Sequence, residues 1–165
     1  MTLPENDYQI LKLLPSFYAQ YPNPPYVELM KKESRRYTCL LFQSHYDYFI
    51  CIPFRSNVNH SYAYHFRKSA RSRYSHSALD YTKIVILNNT LHLDKVPGYV
   101  DKDEYLETLR NIERIKEEAL EYVETYVNQS NGQSIIHPKE FSRRYSKSSL
   151  QYFHNELGIY NNHHV

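Results

Sequence analysis

YTCLLFQ (Tyr37–Gln43) and DYFICIPF (Asp47–Phe54) flank the short connection Ser44-His45-Tyr46. Aromatic and β-branched residues dominate both runs, the pattern of two antiparallel strands joined by a tight connection. Both are apolar on alternate positions of either parity, which predicts central rather than edge strands. Pro53 lacks a backbone donor and is expected to end the second strand or bulge it. A turn centred on His45 would set Cys39 and Cys51 opposite each other. Two cysteines are too few for a disulfide framework and lack zinc-site spacing, so reduced core thiols are expected.

The rest of the chain is read outward from this hairpin. Upstream, Tyr8–Leu14 (YQILKLL) suits a short strand or helix, after which Pro15, Pro22, Pro24 and Pro25 predict an extended, turn-rich path. Downstream, Arg55–Leu79 is polar, basic and aromatic without a sustained period. It is expected to be a long functional loop with one short strand near Tyr62–Phe66. A strand follows at Tyr81–Leu87, then a turn at Asn88-Asn89 and a short return strand at Leu91–Leu93. One long helix is predicted from Lys102 to Asn128, with Asp101 as cap and Glu104 completing a capping box. Leu106, Leu109, Ile112, Ile115, Ala119, Leu120, Val123 and Val127 share one face of it. The Glu- and Lys-rich opposite face is expected to be a scaffold surface turned away from any anionic partner. Gln129–Ser134 is a loop, Ile135–His137 a short strand, and one or two helices run to Gly158, with a frayed end beyond. The sum is one α+β domain spanning 1–165: an antiparallel sheet, a long helix packed on it and a helical tail.

The net charge of +2 conceals a segregation. Lys31 to His76 holds nine basic residues (Lys31, Lys32, Arg35, Arg36, Arg55, Arg67, Lys68, Arg71, Arg73) against Glu33 and Asp47, a net +7. Asp94 to Glu124 holds ten acids against five basic residues, a net −5. No acid occurs from Arg55 through Leu79, whereas a salt-bridged surface intersperses both signs. A polyanionic partner for one face is expected. The 18 Tyr and 7 Phe, with no Trp, suit base stacking, although tyrosine standing in for phenylalanine in a half-wet core explains them equally. No run approaches the ~20 apolar residues that span a bilayer. The first fourteen residues lack the features of a signal peptide, so a cytoplasmic location without membrane association is expected.

Three glycines cannot build a phosphate-binding loop, and no HExxH, Cys-x-x-Cys or nucleophile elbow is present. A two-metal nuclease needs converging carboxylates, and most acids here lie on the predicted helix. The nine histidines are irregularly spaced, so no metal and no cofactor are expected. What these residues do permit is metal-free cleavage of RNA, which carries its own nucleophile in the 2′-hydroxyl. The protein then supplies alignment, charge stabilisation and proton transfer. Pro53-Phe54-Arg55-Ser56-Asn57-Val58-Asn59-His60 concentrates suitable side chains where the second strand ends. Arg55 can grip a phosphate, Ser56 and Asn57 can hydrogen-bond it, and a histidine such as His60 can exchange a proton near neutral pH.

IPFRSNVNH after a strand, the basic RKSARSR, then LDYTKIVIL and a long helix resemble, in that order, the ToxN/AbiQ group of bacterial toxins, especially its CptN and TenpN branches. Arg35-Arg36-Tyr37 before the first central strand and the tail Phe141–Phe153 fit as well. The resemblance spans about Tyr26 to Phe153. It implies a curved antiparallel sheet or barrel similar to MazF/PemK. It also implies a sequence-specific, metal-independent endoribonuclease that leaves 2′,3′-cyclic phosphate and 5′-hydroxyl ends, the toxin of a type III toxin–antitoxin system acting in growth arrest or phage defence. The implied partners are a repeat-derived RNA antitoxin, which the toxin processes and retains as pseudoknots in a closed protein–RNA assembly, and cellular or phage mRNA, with no DNA. Ser56 matches the motif serine, Arg36 the basic residue before the first central strand, and Lys83 a polar contact after the basic loop. The better-known branch has Thr-Ser-Pro-Lys where this chain has Arg55-Ser56-Asn57-Val58, so Arg55 or His60 is expected to replace the motif lysine. The catalytic set is thus Arg36, Arg55, Ser56, His60 and Lys83. RNA contacts are expected from Tyr37, Asn57, His65, Lys68, Arg71, Arg73 and Tyr81. A non-catalytic RNA-binding module and a MazF-type ribonuclease held by a protein antitoxin are the alternatives.

Overall fold

The computed structural model describes residues 8–29 and 38–160. Seven strands form one antiparallel sheet: β1 (Tyr8–Leu13), β2 (Thr38–Gln43), β3 (Phe49–Arg55), β4 (Ala63–His65), β5 (Ala78–Asp80), β6 (Val85–Leu87) and β7 (Leu93–Pro97). Their order is β4-β5-β3-β2-β1-β7, with β6 also pairing β3. The helices are α1 (Pro15–Gln20), α2 (Ala70–Ser75), α3 (Lys102–Arg110), α4 (Ile112–Ser130), α5 (Pro138–Tyr145) and α6 (His154–Leu157). The architecture is α+β, as the sequence predicts.

The hairpin at the centre forms as its pattern requires. β2 and β3 pair with Leu40 opposite Ile52 and Phe42 opposite Ile50. Cys39–Phe42 and Ile50–Ile52 are fully buried on both parities, so both faces of the sheet are covered here. Each such side chain contributes roughly 1.5–3 kcal/mol on burial. The register is two residues off the cysteine pairing expected: Cys39 faces Pro53 and Cys51 faces Leu41. The turn therefore centres on Tyr46, one residue later, and both thiols are free and buried. Burial, with a hydrogen bond to Cys39, pushes the Cys51 thiol well above its ordinary value.

β3 does not stop at Pro53. Its outer edge pairs with β6 at Phe49–Cys51 and with β5 at Phe54 and Arg55. The proline falls where the strand exchanges one neighbour for the other, the position at which a missing N–H costs least. The expected strand Tyr81–Leu87 is divided instead: Asp80 caps a 3-10 turn at Tyr81–Lys83, and only Val85–Leu87 is extended. The return strand begins at Leu93 and pairs with β1. Pro15 opens α1 at its first turn, where its missing donor is harmless, instead of breaking the path. Ile135–His137 is not a strand; His137 caps α5.

The predicted long helix is two helices. Asp101 caps α3 through the Asp103 and Glu104 amides, as read, but the chain breaks at Asn111 (φ −116°, ψ 17°). α4 buries Ile115, Ala119 and Val123 on the expected face. α3 does not follow the same stripe: Leu106 is exposed, and Glu104, Glu107 and Thr108 face inward. The C-terminal segments lock onto α4 through Tyr122–Tyr145 and Tyr126–Phe141 ring contacts at 4.7 and 5.7 Å. They also reach the residue before β6, where the Ser149 hydroxyl donates to the Ile84 carbonyl. No helix among the described residues is long and apolar enough to cross a membrane.

Candidate nucleic-acid site

The segment that follows β3 is the expected long loop, yet it is built, not loose. It carries β4, α2 and β5, and β4-β5-β3 make a three-stranded end to the sheet. One face of this end is apolar. Phe54 and Phe66 stack at 5.9 Å, and the Tyr64 hydroxyl donates to Glu107 at 2.8 Å. The other face is polar. Arg55 lies opposite Ala78, and Ala78 opposite His65, so these three stand in one row across the strands. Asp80 shares that face, two residues along β5.

Asp80 is the hub of the polar face and is fully buried. Its Oδ2 accepts from the Arg55 guanidinium at 2.6 Å. Its Oδ1 accepts from the Thr82 hydroxyl at 2.6 Å, the Thr82 amide at 2.9 Å and His60 Nε2 at 3.1 Å. Burial alone would raise its pKa; the hydrogen bonds from His60 and Thr82 and the Arg55 charge outweigh that and hold it below the ordinary 3.8. Arg55 is thereby fixed in direction while its side chain stays 31% exposed. It can present its remaining donors to an anion.

A second network holds Ser56. The Arg71 guanidinium donates to the Ser56 hydroxyl oxygen and, at 3.3 Å, to Glu104. Glu104 is fully buried and also accepts from the Ser69 and Ser77 hydroxyls at 3.1 and 2.9 Å. Glu107 accepts from the backbone amides of Arg67 and Lys68 at 3.1 and 3.0 Å. Two carboxylates of α3 therefore pin the basic segment, and the acidic helix face begins under the site instead of turning wholly away from it. With its oxygen already engaged by Arg71, the Ser56 hydroxyl can donate to a phosphate oxygen.

Of the expected site residues, the structure groups Arg55, His60 and His65 around Asp80, and Ser56 and Arg71 in a separate network around Glu104. Asn57 is exposed at the same corner with positive φ (59°), a conformation that asparagine tolerates, and its amide donates to Ser75. Lys68 and Arg73 are exposed on the rim with Arg67, and their side chains make no salt bridge among the described residues. Lys83 stands apart: its ammonium bonds Glu28 at 2.7 Å and the Lys147 carbonyl at 2.8 Å, tying the N- and C-terminal parts together. Tyr81 is buried, with its hydroxyl on Glu118 at 2.8 Å, so its ring is not a free stacking surface. Arg36 and Tyr37 lie outside the described residues. The sequence reading overlooked Asp80, Thr82, Glu104 and Glu107. One signal pointed to the acids: an acid-free basic stretch must find its counter-charge elsewhere, and Asp80 and Glu104 are the nearest acids after it on buried elements. No group of three or more His, Cys, Asp or Glu among the described residues is arranged to hold a metal ion.

No protein-family model, curated protein or solved structure significantly matches this chain.

Proposed function

We propose that the chain is a metal-independent endoribonuclease toxin of a type III toxin–antitoxin system, cytoplasmic, with a MazF-like curved sheet. The observation that carries this reading is the end of β3. Arg55, aimed by buried Asp80, and Ser56, engaged by Arg71, follow one another where β3 ends, and the segment they open carries exposed Arg67, Lys68 and Arg73. A fixed guanidinium and hydroxyl can bind the two non-bridging oxygens of a phosphodiester and stabilise the charge that grows as the 2′-oxygen attacks. The exposed cations can track the strand on either side, for substrate and for an inhibitory repeat RNA alike. The products are a 2′,3′-cyclic phosphate and a 5′-hydroxyl.

Expression of the wild type and of Ser56→Ala, followed by mapping of new 5′-hydroxyl ends, tests this. The wild type should arrest growth and cut recurrently at one short sequence. The variant should lose both and still bind RNA. Well-expressed wild type that yields neither arrest nor ends would refute the enzyme and leave an RNA-binding module.

One observation favours a protein antitoxin over an RNA one. An apolar groove of about 740 Å³ runs along β1 and β7, beside Tyr99 and Val96, which are 86% and 63% exposed. Patches of this kind often receive protein partners. Co-purification of the toxin with an RNase-sensitive partner decides for RNA; an RNase-resistant, protease-sensitive inhibitor decides for protein.

A further inference from the structure

We infer that His65, and not His60, is the general base of the site, an inference that rests on the endoribonuclease reading above. Both imidazoles lie on the polar face of the three-stranded end, but their nitrogens are committed differently. His60 Nδ1 accepts from the Tyr62 amide at 3.1 Å, so the ring proton sits on Nε2, which donates to Asp80 at 3.1 Å. Neither nitrogen of His60 is left for substrate. It is a positioning residue: it fixes Asp80, and its carbonyl fixes its neighbour. His65 Nε2 lies 2.7 Å from that His60 carbonyl oxygen. A carbonyl can only accept, so Nε2 carries the proton and Nδ1 carries the lone pair. Nδ1 has no partner among the described residues. An imidazole held in one tautomer by a third group, with its other nitrogen open, has the arrangement that general-base catalysis requires.

His65 also stands in the right row. Arg55 and His65 are each directly opposite Ala78. Adjacent strands lie about 4.8 Å apart, so the two backbones are separated by roughly 10 Å, with fully buried Ala78 between them. A phosphodiester reaches the pair from the solvent side, with its charged oxygens toward the partly exposed Arg55 guanidinium and the adjoining 2′-hydroxyl toward half-buried His65. The charged and titratable groups around His65 are Arg55, Asp80 and His60 on its own face. From the 3-10 turn packed on β4, Lys83 is turned to Glu28 and Tyr81 to Glu118.

In the step itself, the Nδ1 lone pair takes the 2′-hydroxyl proton. The freed oxygen pair forms the bond to phosphorus as the P–O5′ bond breaks, and the departing O5′ takes a proton from water. The imidazolium then returns its proton to water. No atom beyond the RNA is consumed, and a cyclic phosphate results.

The test uses the full-length protein and an oligoribonucleotide bearing the cleavage sequence mapped from cellular RNA. The same oligonucleotide with one 2′-deoxy position at the cut is the control. His65→Gln keeps a donor for the His60 carbonyl and removes the base. It should lower cleavage by roughly 10²–10⁴-fold and leave RNA affinity intact. Wild-type rates should fall about tenfold per pH unit on the acid side, and this limb should vanish in His65→Gln but persist in His60→Gln. Added imidazole should restore cleavage to His65→Ala, which a merely structural histidine would not show. The inference is overturned if the wild type cleaves and His65→Gln keeps both rate and acid limb, or if the limb is lost in His60→Gln instead. A wild type that never generates 5′-hydroxyl ends overturns the ribonuclease reading, and this inference with it.

Discussion

Asp80→Asn removes one charge from the centre of the site and almost no volume. In the native protein, Oδ1 takes three donors and Oδ2 takes the Arg55 guanidinium. An asparagine can keep its oxygen toward Thr82 and His60, but its amide group then points donors at the donors of Arg55. Removing one member of a buried ion pair costs about 3–5 kcal/mol. The Arg55 side chain is 31% exposed, so water softens the loss, and about 2–3 kcal/mol is expected. For a chain of this size that is a fall of roughly 5–10 °C in Tm. The pH dependence sharpens the test. The Asp80 pKa is lowered in the folded state relative to 3.8. Its contribution is therefore fully present above that value and lost as the pH falls through the folded one. Urea denaturation of both proteins at neutral pH and at successively lower pH should show a gap that is constant at first and closes below about pH 4. A gap under about 0.5 kcal/mol at neutral pH, within the range of an ordinary surface change, would refute Asp80 as the hub. So would a gap that stays unchanged well below the folded pKa.

Other perturbations separate the layers of the structure. Glu104→Gln leaves the Ser69, Ser77 and Arg71 donors without one of their shared acceptors. It should cost about 1–3 kcal/mol and speed tryptic cleavage after Arg71 and Arg73, read by limited proteolysis. Lys68→Ala and Arg73→Ala should weaken RNA binding across sequences, and each should flatten the log K against log salt slope by about 0.7–0.9; an unchanged slope places that side chain off the phosphates. Phe153→Ala empties a fully buried position against Tyr21 and should cost about 3–5 kcal/mol in a thermal or urea melt, with no change in the salt slope.

How much of this was legible in the sequence follows from where each residue's environment is decided. The β2–β3 hairpin was legible because its apolar runs leave it one way to bury both faces. The Asp101 cap was legible because it is local. The inward turn of Glu104 and Glu107 was not. A continuous helical stripe through Leu106 and Leu109 put them on the buried side, and only the break at Asn111 lets α3 take a different face. Their carboxylates are drawn in by donors some 27 to 43 residues away, a contact that no local period records. His60 and His65 carry the same lesson at smaller scale. Both were visible as histidines near a basic loop, but which nitrogens are occupied depends on the backbone path between them. Lys83 and Tyr81 looked equally available in one dimension, and folding spends them on Glu28 and Glu118.

The dependence of the basic segment on α3 also sets an order in time. Residues 55–82 leave the ribosome before the helix that pins them, since Ser69 waits 35 positions for Glu104 and Arg67 waits 40 for Glu107. At synthesis rates of about 5–20 residues per second, that interval is roughly 2–8 s. During it the cationic stretch exists without its buried counter-charges, while Arg55 already has Asp80 within its own stretch of chain. The basic segment therefore takes its final arrangement only once α3 has been made, so its geometry is completed late in synthesis although its sequence comes early.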